Sequence, residues 1–332
     1  EALQNFKSLF SAYPNAEESN NALEYIRNIY IEEQQPEAYV QFMNAYGKSL
    51  SYNEQDSLIY RAAIIQYEDK KLTNANVAFK KYLSLYPEGQ YQLNAMNFLA
   101  EMAYASEQYD SAAIYFGKIA MKAPNQFSER AAIIAARLHY FNLKDYVGAE
   151  KYFKIVLQYA TQQEQKNEAT KGLLRCQYKA ENWAEASKTA VLILAELNSA
   201  SDDILMANMA LYHQTINQQD TVKALQLLNT VLKSNSSLYT AEAHYLTALI
   251  YYNQQKYNLA EKTAFDVIKK QASYEFWVTK TYILLGDIYL AQNDTFNAIA
   301  TYKSIAENAT IPSLQQIASD KLKAINETIK AQ

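Results

Sequence analysis

The chain has 332 residues, and its 31 Lys and Arg against 35 Asp and Glu give a net charge of −4 at pH 7. This balance, with no long basic run, argues against general nucleic-acid binding. The longest apolar runs, such as 190–195, reach about a third of the roughly 20 residues that a membrane-spanning helix needs. We therefore expect a protein that neither binds nucleic acid nor spans a membrane.

The glycine, histidine and cysteine contents exclude most catalytic chemistries. The six glycines include no closer pair than Gly148 and Gly172, so no phosphate-binding loop or dinucleotide fingerprint is present. The three histidines form no HxxxH or HxH pair, which disfavours a helical zinc site. The single Cys176 permits no internal disulfide and fits either a reducing compartment or a bacterial periplasm. The sequence predicts no catalytic residue, no cofactor and no metal ligand, so the chain is not expected to be an enzyme.

From its first residue onward the chain follows a period of about 37 residues. Small alanines recur on the second helix of each predicted hairpin, and we call these the register alanines: Ala2, Ala38, Ala75, Ala112, Ala149, Ala186, Ala224, Ala260 and Ala298. In most units a bulky residue follows four positions later. We interpret the pattern as the close approach of two helices at the alanine, with the bulky side chain filling the gap beside it.

The stretch 90–124 defines the predicted hairpin most clearly. In each of its two helices, apolar residues recur at i, i+3, i+4, i+7 and i+8, beginning at Ala95 and at Ala112. Residues 106–108 interrupt the apolar stripe between the helices, and Pro124 ends the second one. One such hairpin cannot bury its own apolar faces, so the pattern predicts a stack of similar hairpins.

The two ends of the predicted array differ from its middle. The chain begins at Glu1 inside a second helix whose partner helix is missing. Because half a hairpin exposes apolar surface, we expect either a longer protein or a removed leading segment, and this end offers a surface for oligomer formation. At the other end, 313–332 is predicted as a lone amphipathic helix with Leu314, Leu322 and Ile329 on its apolar stripe. The predicted domains are a repeat array over 1–312, whose first repeat is truncated to its second helix, and a capping helix over 313–332.

This pattern resembles the tetratricopeptide repeat. The stretch 247–268 carries the family's pattern at Ala248, Tyr252, Tyr257 and Ala260, and 282–302 carries it through Leu285–Gly286. The family period is about 34 residues, so a period of 37 implies longer helices or longer links. The resemblance implies an all-α, right-handed superhelical solenoid of about nine helix-turn-helix repeats, closed by the C-terminal helix.

A narrower resemblance covers 79–116. The turn at 86–89, followed by a helix carrying Leu99–Ala100–Glu101, is similar to repeats of bacterial cell-envelope proteins, namely the lipoprotein of the outer-membrane assembly machine and the periplasmic Tol-associated coordinator of cell division. This resemblance implies a periplasmic or cell-envelope location. A cytoplasmic location is the alternative, because similar turns occur in cytoplasmic repeat proteins.

In the resembled family, the first helix of each hairpin lines the concave surface. Eight residues before a register alanine, or nine in the fifth unit with its longer turn, the sequence places what we call the tyrosine series: Tyr30, Tyr67, Tyr104, Tyr140, Tyr178 and Tyr252. Tyr and Arg recur at binding hot spots. The predicted partner-binding residues are Tyr67, Tyr104, Arg137, Tyr140, Lys171, Arg175, Tyr178, Tyr245 and Tyr252. The alternative is that these tyrosines pack within the array.

Three functions remain open from the sequence. The first is a non-catalytic scaffold whose concave groove binds a peptide or protein partner, within a bacterial envelope complex. The second is a carbohydrate-binding component of an outer-membrane nutrient-uptake system, although such proteins carry long insertions between hairpins. The third is an accessory arm of an enzyme whose catalytic part lies upstream of Glu1. The sequence does not name the partner.

Overall fold

The computed structural model describes residues 1–14, 16–196, 201–234 and 237–331, with the side chains of the last helix described through Thr328. Within those ranges the regular secondary structure is entirely helical, which confirms the predicted all-α class. The helices are α1 Ala2–Ala12, α2 Glu17–Glu32, α3 Pro36–Ala45, α4 Tyr52–Glu68, α5 Leu72–Leu85, α6 Gln92–Ala105, α7 Tyr109–Met121, α8 Ser128–Arg137, α9 Tyr146–Tyr159, α10 Gln163–Lys179, α11 Trp183–Ala195, α12 Ser201–Asn217, α13 Thr221–Val231, α14 Leu238–Asn253, α15 Tyr257–Lys270, α16 Glu275–Ala291, α17 Thr295–Asn308 and α18 Pro312–Ala331.

The helices pair into successive hairpins from α2–α3 to α16–α17, flanked by α1 and α18. In each hairpin the even-numbered helix is the first helix and the odd-numbered helix is the second. The chain divides into two compact units, Glu1–Ala169 (unit 1) and Thr170–Gln332 (unit 2), and the division falls within α10. Within each unit, sequential helices pack on one another, as expected of a helical repeat array.

The register alanines lie where the predicted packing requires them. From Ala75 to Ala298 each is fully buried, and the bulky residue four positions later is buried in five of these seven units. Phe79, Phe116 and Tyr302 are among the largest fully buried side chains. At the N-terminal end the packing is looser, because Ala2 is exposed and Ala38 is only partly buried.

Each hairpin turn contains one residue in the left-handed region, and none of these residues is glycine. They are Gln34, Lys70, Glu107, Lys144, Glu181, Gln219, Gln255 and Asn293, four or five residues before a register alanine. In all but one of these turns, the amide of the following residue donates to the carbonyl five residues earlier, as Gln108 does to Ala103 at 2.9 Å. This bond closes the C-terminus of the first helix and makes the chain reverse.

The hairpin of α8 and α9 contains one extra residue, which the structure places in a helix and not in the turn as predicted. A π-helical segment, Leu138–Leu143, follows α8. The amide of Asp145 donates to His139 O at 2.9 Å, six residues back instead of five. The Asp145 side chain accepts from Gly148 N at 2.9 Å and caps α9. The wider helical turn therefore absorbs the insertion and leaves the reversal intact.

The last helix, α18, begins at Pro312, one residue earlier than predicted. Leu314 and Ala318 are buried in a cluster with Tyr302 and Ile305 of α17, and Leu322 and Ile325 pack against that cluster. The side chain of Ile329 lies outside the described residues. The capping role of this helix, and the division of the chain at 312, stay predictions.

Candidate functional site

The first helices of successive hairpins are linked by side-chain pairs, which we call junction pairs. One or more occurs at each step from α4 to α18: Tyr67–Phe98, Glu101–Arg130, Arg137–Glu168, Arg175–Asp203, His213–Glu242, Tyr245–Trp277 and Asp287–Lys321. Their members lie 28 to 34 residues apart in sequence. Most of them pair a cation with a carboxylate. Much of the charge on the surface formed by the first helices, which we call the first-helix face, is therefore neutralised within the chain.

The three predicted cations are all members of such pairs. Arg137 pairs with Glu168, and both side chains are about half exposed. Arg175 donates to Asp203 Oδ1 at 2.7 Å, and Lys171 Nζ lies 4.0 Å from Oδ2 of the same carboxylate. The Asp203 side chain is only 6% exposed. Arg175 and Lys171 therefore compensate a buried charge, because a buried carboxylate without partners is strongly destabilising.

The tyrosine series makes a repeated contact inside the hairpins. Four of its members pack against the aromatic residue that stands three positions before the register alanine. The pairs, with their ring-centroid distances, are Tyr104–Tyr109 at 6.2 Å, Tyr140–Tyr146 at 5.3 Å, Tyr178–Trp183 at 5.2 Å and Tyr252–Tyr257 at 5.9 Å. This contact explains why the two positions recur together in the sequence. It supports the alternative that these tyrosines pack within the array.

Tyr178 is enclosed by side chains of unit 2. Its hydroxyl donates to Glu242 Oε2 at 3.0 Å, and its ring contacts His213 and Tyr239. The other Glu242 oxygen lies 3.2 Å from His213 Nε2, and His213 stacks on Trp183 at 4.0 Å. Burial, followed by the negative charge of Glu242, raises the pKa of Tyr178 above its ordinary value. This tyrosine is partly buried and links α10 to α14, and its hydroxyl is already engaged by Glu242.

The remaining predicted tyrosines range from open to buried. Tyr104 is 45% exposed, whereas Tyr67, Tyr140 and Tyr252 are partly buried. Tyr245 is 8% exposed, and burial, followed by the charge of Asp287, raises its pKa to about 12. Of the nine predicted residues, the structure places Tyr67, Tyr104, Arg137 and Tyr140 in unit 1 and the other five in unit 2.

Two features of the first helices and their extensions were missed by the sequence analysis. Phe141, in the π-helical segment, is 58% exposed. Lys280 lies among three aromatic rings of α14 and α16. The cluster around Lys280 could have been found in the sequence, because Tyr245 and Trp277 are separated by about 30 residues, the spacing that relates the members of the other junction pairs.

Two classes of site are absent from the described residues. They contain no group of three His, Cys, Asp or Glu side chains placed to hold a metal ion. They also contain no helix that is both long and apolar enough to cross a membrane.

Comparison with known proteins agrees with this architecture. The tetratricopeptide repeat family model matches residues 56–89 and 281–309, within α4–α5 and α16–α17. A search of curated proteins gives no significant match. Similar solved structures, each 14% identical, include a tetratricopeptide repeat protein from Parabacteroides merdae (81% of this chain, 98% of that chain, TM-score 0.42), yeast Tom70 (94% and 60%, TM-score 0.44) and a human IFIT1 dimer with m7Gppp-AAAA (99% and 74%, TM-score 0.46).

The bound m7Gppp-AAAA is a property of the IFIT1 complex. The family model, in contrast, matches two hairpins whose helices pair as a tetratricopeptide repeat requires. The chain is therefore similar to tetratricopeptide repeat proteins, through those two hairpins and through the all-helical array around them.

Proposed function

We propose that the chain is a non-catalytic scaffold that binds a peptide or protein partner on the first-helix face of unit 1. Tetratricopeptide repeats generally serve as protein-interaction scaffolds, and the two matched hairpins favour the same role here. The proposed contact residues are Tyr104 and Phe141, with Tyr67, Arg137 and Tyr140 beside them.

The observation that carries this proposal is the exposure of two aromatic side chains at the ends of consecutive first helices. Tyr104 is the last residue but one of α6, and Phe141 lies in the π-helical segment that follows α8. The hairpins that hold them are tightly packed, with Ala112, Phe116 and Ala149 buried. Exposed aromatic rings on a rigid support give large contact area with little loss of side-chain entropy on binding.

The charges near these rings favour exchange with a partner. Arg137 and Glu168 are both about half exposed, and exposed ion pairs contribute about 0–1 kcal/mol to stability. A carboxylate of a ligand could therefore displace Glu168 at small cost. Arg175 and Lys171 differ, because releasing them would leave the buried Asp203 without a counter-charge.

The proposal is tested by measuring affinity for a partner recovered by affinity purification. We expect Tyr104→Ala and Phe141→Ala each to weaken binding by about 30-fold, which is the roughly 2 kcal/mol that defines a hot spot. Phe296→Ala is the matched control, because Phe296 is a highly exposed aromatic residue on the second helix α17. Unchanged affinity in both test variants, with folding intact, would show that the binding face lies elsewhere.

The finer part of the proposal is a role in a bacterial envelope complex. It is supported only by the local sequence resemblance of residues 79–116. Cell fractionation of the tagged full-length protein from its native host tests it directly. Recovery in the periplasmic or membrane-associated fraction supports the envelope role, and recovery in the cytoplasm contradicts it.

A further inference from the structure

Lys280 occupies an aromatic box formed by Tyr245, Phe276 and Trp277. Its Nζ lies 5.0 Å from the ring centroid of Tyr245, 5.1 Å from that of Trp277 and 5.6 Å from that of Phe276. Tyr245 comes from α14, and the other members come from the first turn of α16. The ammonium is therefore held by ring faces that attract a cation but carry no net charge.

The other cations at the junctions have carboxylate partners, and the repeat register shows what Lys280 lacks. Lys280 lies 18 residues before Ala298. Once the extra residue of the π-helical segment is allowed for, Arg130 lies at the same distance before Ala149. Arg130 makes two hydrogen bonds to Glu101 of the preceding first helix.

The position that corresponds to Glu101 in the hairpin before Lys280 is Leu249. Glu101 stands eleven residues before Ala112, and Leu249 stands eleven residues before Ala260. Within the described part of the chain, Lys280 has no ion-pair partner. At this junction the cation is present, and an apolar side chain replaces the anion.

The box itself cannot supply the missing charge near neutral pH. Burial and the charge of Asp287 raise the pKa of Tyr245 to about 12, so its hydroxyl stays neutral. Phe276 and Trp277 do not ionise. Lys280 is only partly buried, so one side of the ammonium stays accessible. Phe276 is exposed beside it and offers an apolar contact next to the charge.

We propose that Lys280 and its aromatic box bind a carboxylate side chain of an acidic peptide segment whose neighbouring residue is apolar. The incoming carboxylate takes the place that Glu101 fills for Arg130, while the apolar residue packs on Phe276. Charge-assisted hydrogen bonds are about twice as strong as neutral ones, so the charge on the ligand dominates recognition. This inference rests on the proposed scaffold function, and it adds a chemical class of ligand and a second contact point, in unit 2.

Two labelled probe peptides test the site by fluorescence anisotropy at low ionic strength. One is Ala-Glu-Phe-Glu-Ala with blocked termini, and the other has Gln in place of both Glu residues. We expect the full chain to bind the Glu peptide at least about tenfold more tightly than the Gln peptide, which corresponds to one charged contact. Lys280→Met should remove this preference and Lys280→Arg should retain it.

Lys262→Met is the matched control, because Lys262 is an exposed lysine on the second helix α15. It should leave the preference unchanged. Circular dichroism and melting temperature confirm that each variant is folded, and Lys280→Gln, which also removes the charge, replaces Lys280→Met if that variant does not fold. Equal binding of both peptides, no binding of either, or a preference that survives in folded Lys280→Met overturns the proposed site. None of these results decides the scaffold function, which the Tyr104 and Phe141 variants test separately.

Discussion

Tyr104 in unit 1 and Tyr178 in unit 2 occupy the same position of the repeat, eight residues before a register alanine, yet their surroundings are opposite. Each packs against an aromatic residue of its own hairpin. Tyr104 is open to solvent on its other side, whereas Tyr178 reaches Glu242 and Tyr239 two hairpins further along. The repeat thus determines the inner contact of this tyrosine, and the residues on more distant helices determine whether its outer face can bind a partner.

The largest expected effect is on stability. Tyr178→Ala should lower the free energy of unfolding by about 2 to 4 kcal/mol, somewhat less than for a fully buried aromatic residue, because it removes the ring contacts of a partly buried side chain and the hydroxyl that donates to Glu242 Oε2. Tyr104→Ala should lower it by less than about 1 kcal/mol, because the side chain is half exposed. Urea denaturation followed by circular dichroism measures both. Similar values for the two variants would contradict the comparison.

Alkaline pH should reveal the shielded position of the Tyr178 hydroxyl through the pH dependence of stability. The folded-state pKa of Tyr178 lies above the unfolded value of about 10. Its protonated form therefore stabilises the fold fully below pH 10, and this contribution falls as pH rises, by up to about 1.4 kcal/mol per pH unit. Tyr178→Phe removes it, so the difference between wild type and variant should shift in favour of the variant above pH 10. A constant difference from pH 8 to pH 12 would contradict the burial of the hydroxyl.

Two glycines, one in each unit, extend the comparison to the packing of helices within a unit. A Cβ added at Gly286 in unit 2 would lie 2.6 Å from two ring atoms of the fully buried Tyr302, which cannot move away. A Cβ at Gly117 in unit 1 would meet only the hydroxyl end of Tyr152, which is partly buried and can rotate. Gly286→Ala should therefore lower the melting temperature through a loss of about 1 to 3 kcal/mol. Gly117→Ala should have a clearly smaller effect, and the reverse order would contradict the inferred packing.

The smallest expected effect concerns one turn residue in each unit, and it should be similar in the two. Glu107 and Glu181 have φ angles of 57° and 54° in equivalent turns, a conformation that costs a non-glycine residue about 1–2 kcal/mol. Part of the gain on substitution is offset by the greater freedom of glycine in the unfolded chain. Glu107→Gly and Glu181→Gly should each stabilise the fold by about 0.5–1 kcal/mol. Differential scanning calorimetry measures both, and destabilisation by either would show that its side chain has a separate role.

Much of the fold was accessible from the sequence because one small residue per repeat reports the closest helix contact. Ala112 and Ala149 are fully buried, as their spacing predicted. The left-handed turns were not accessible, because Glu107 and Lys144 carry no sequence signal for that conformation. The hairpin geometry imposes it on whichever residue stands there.

The candidate site was harder to predict, because it depends on contacts between hairpins. The pairing of Arg175 with Asp203 requires knowledge of how neighbouring first helices are staggered. The enclosure of Tyr178 by Glu242 requires the next-but-one hairpin as well. The extra residue near Tyr140 was detected, but its placement in a π-helical segment depended on Leu138 staying buried while the turn kept its closing bond.

The bond from Tyr178 to Glu242 has a consequence for how unit 2 opens. In a repeat array with contacts only between adjacent hairpins, amide protons near the ends exchange with solvent more readily than those in the middle, in gradual steps. Here α10 is tied to α14 across α12, so loss of either hairpin exposes the buried Glu242 and the partly buried His213. The amides of α10, α12 and α14 should therefore exchange with deuterium as one cooperative group with a common opening free energy. Tyr178→Phe should divide that group in two.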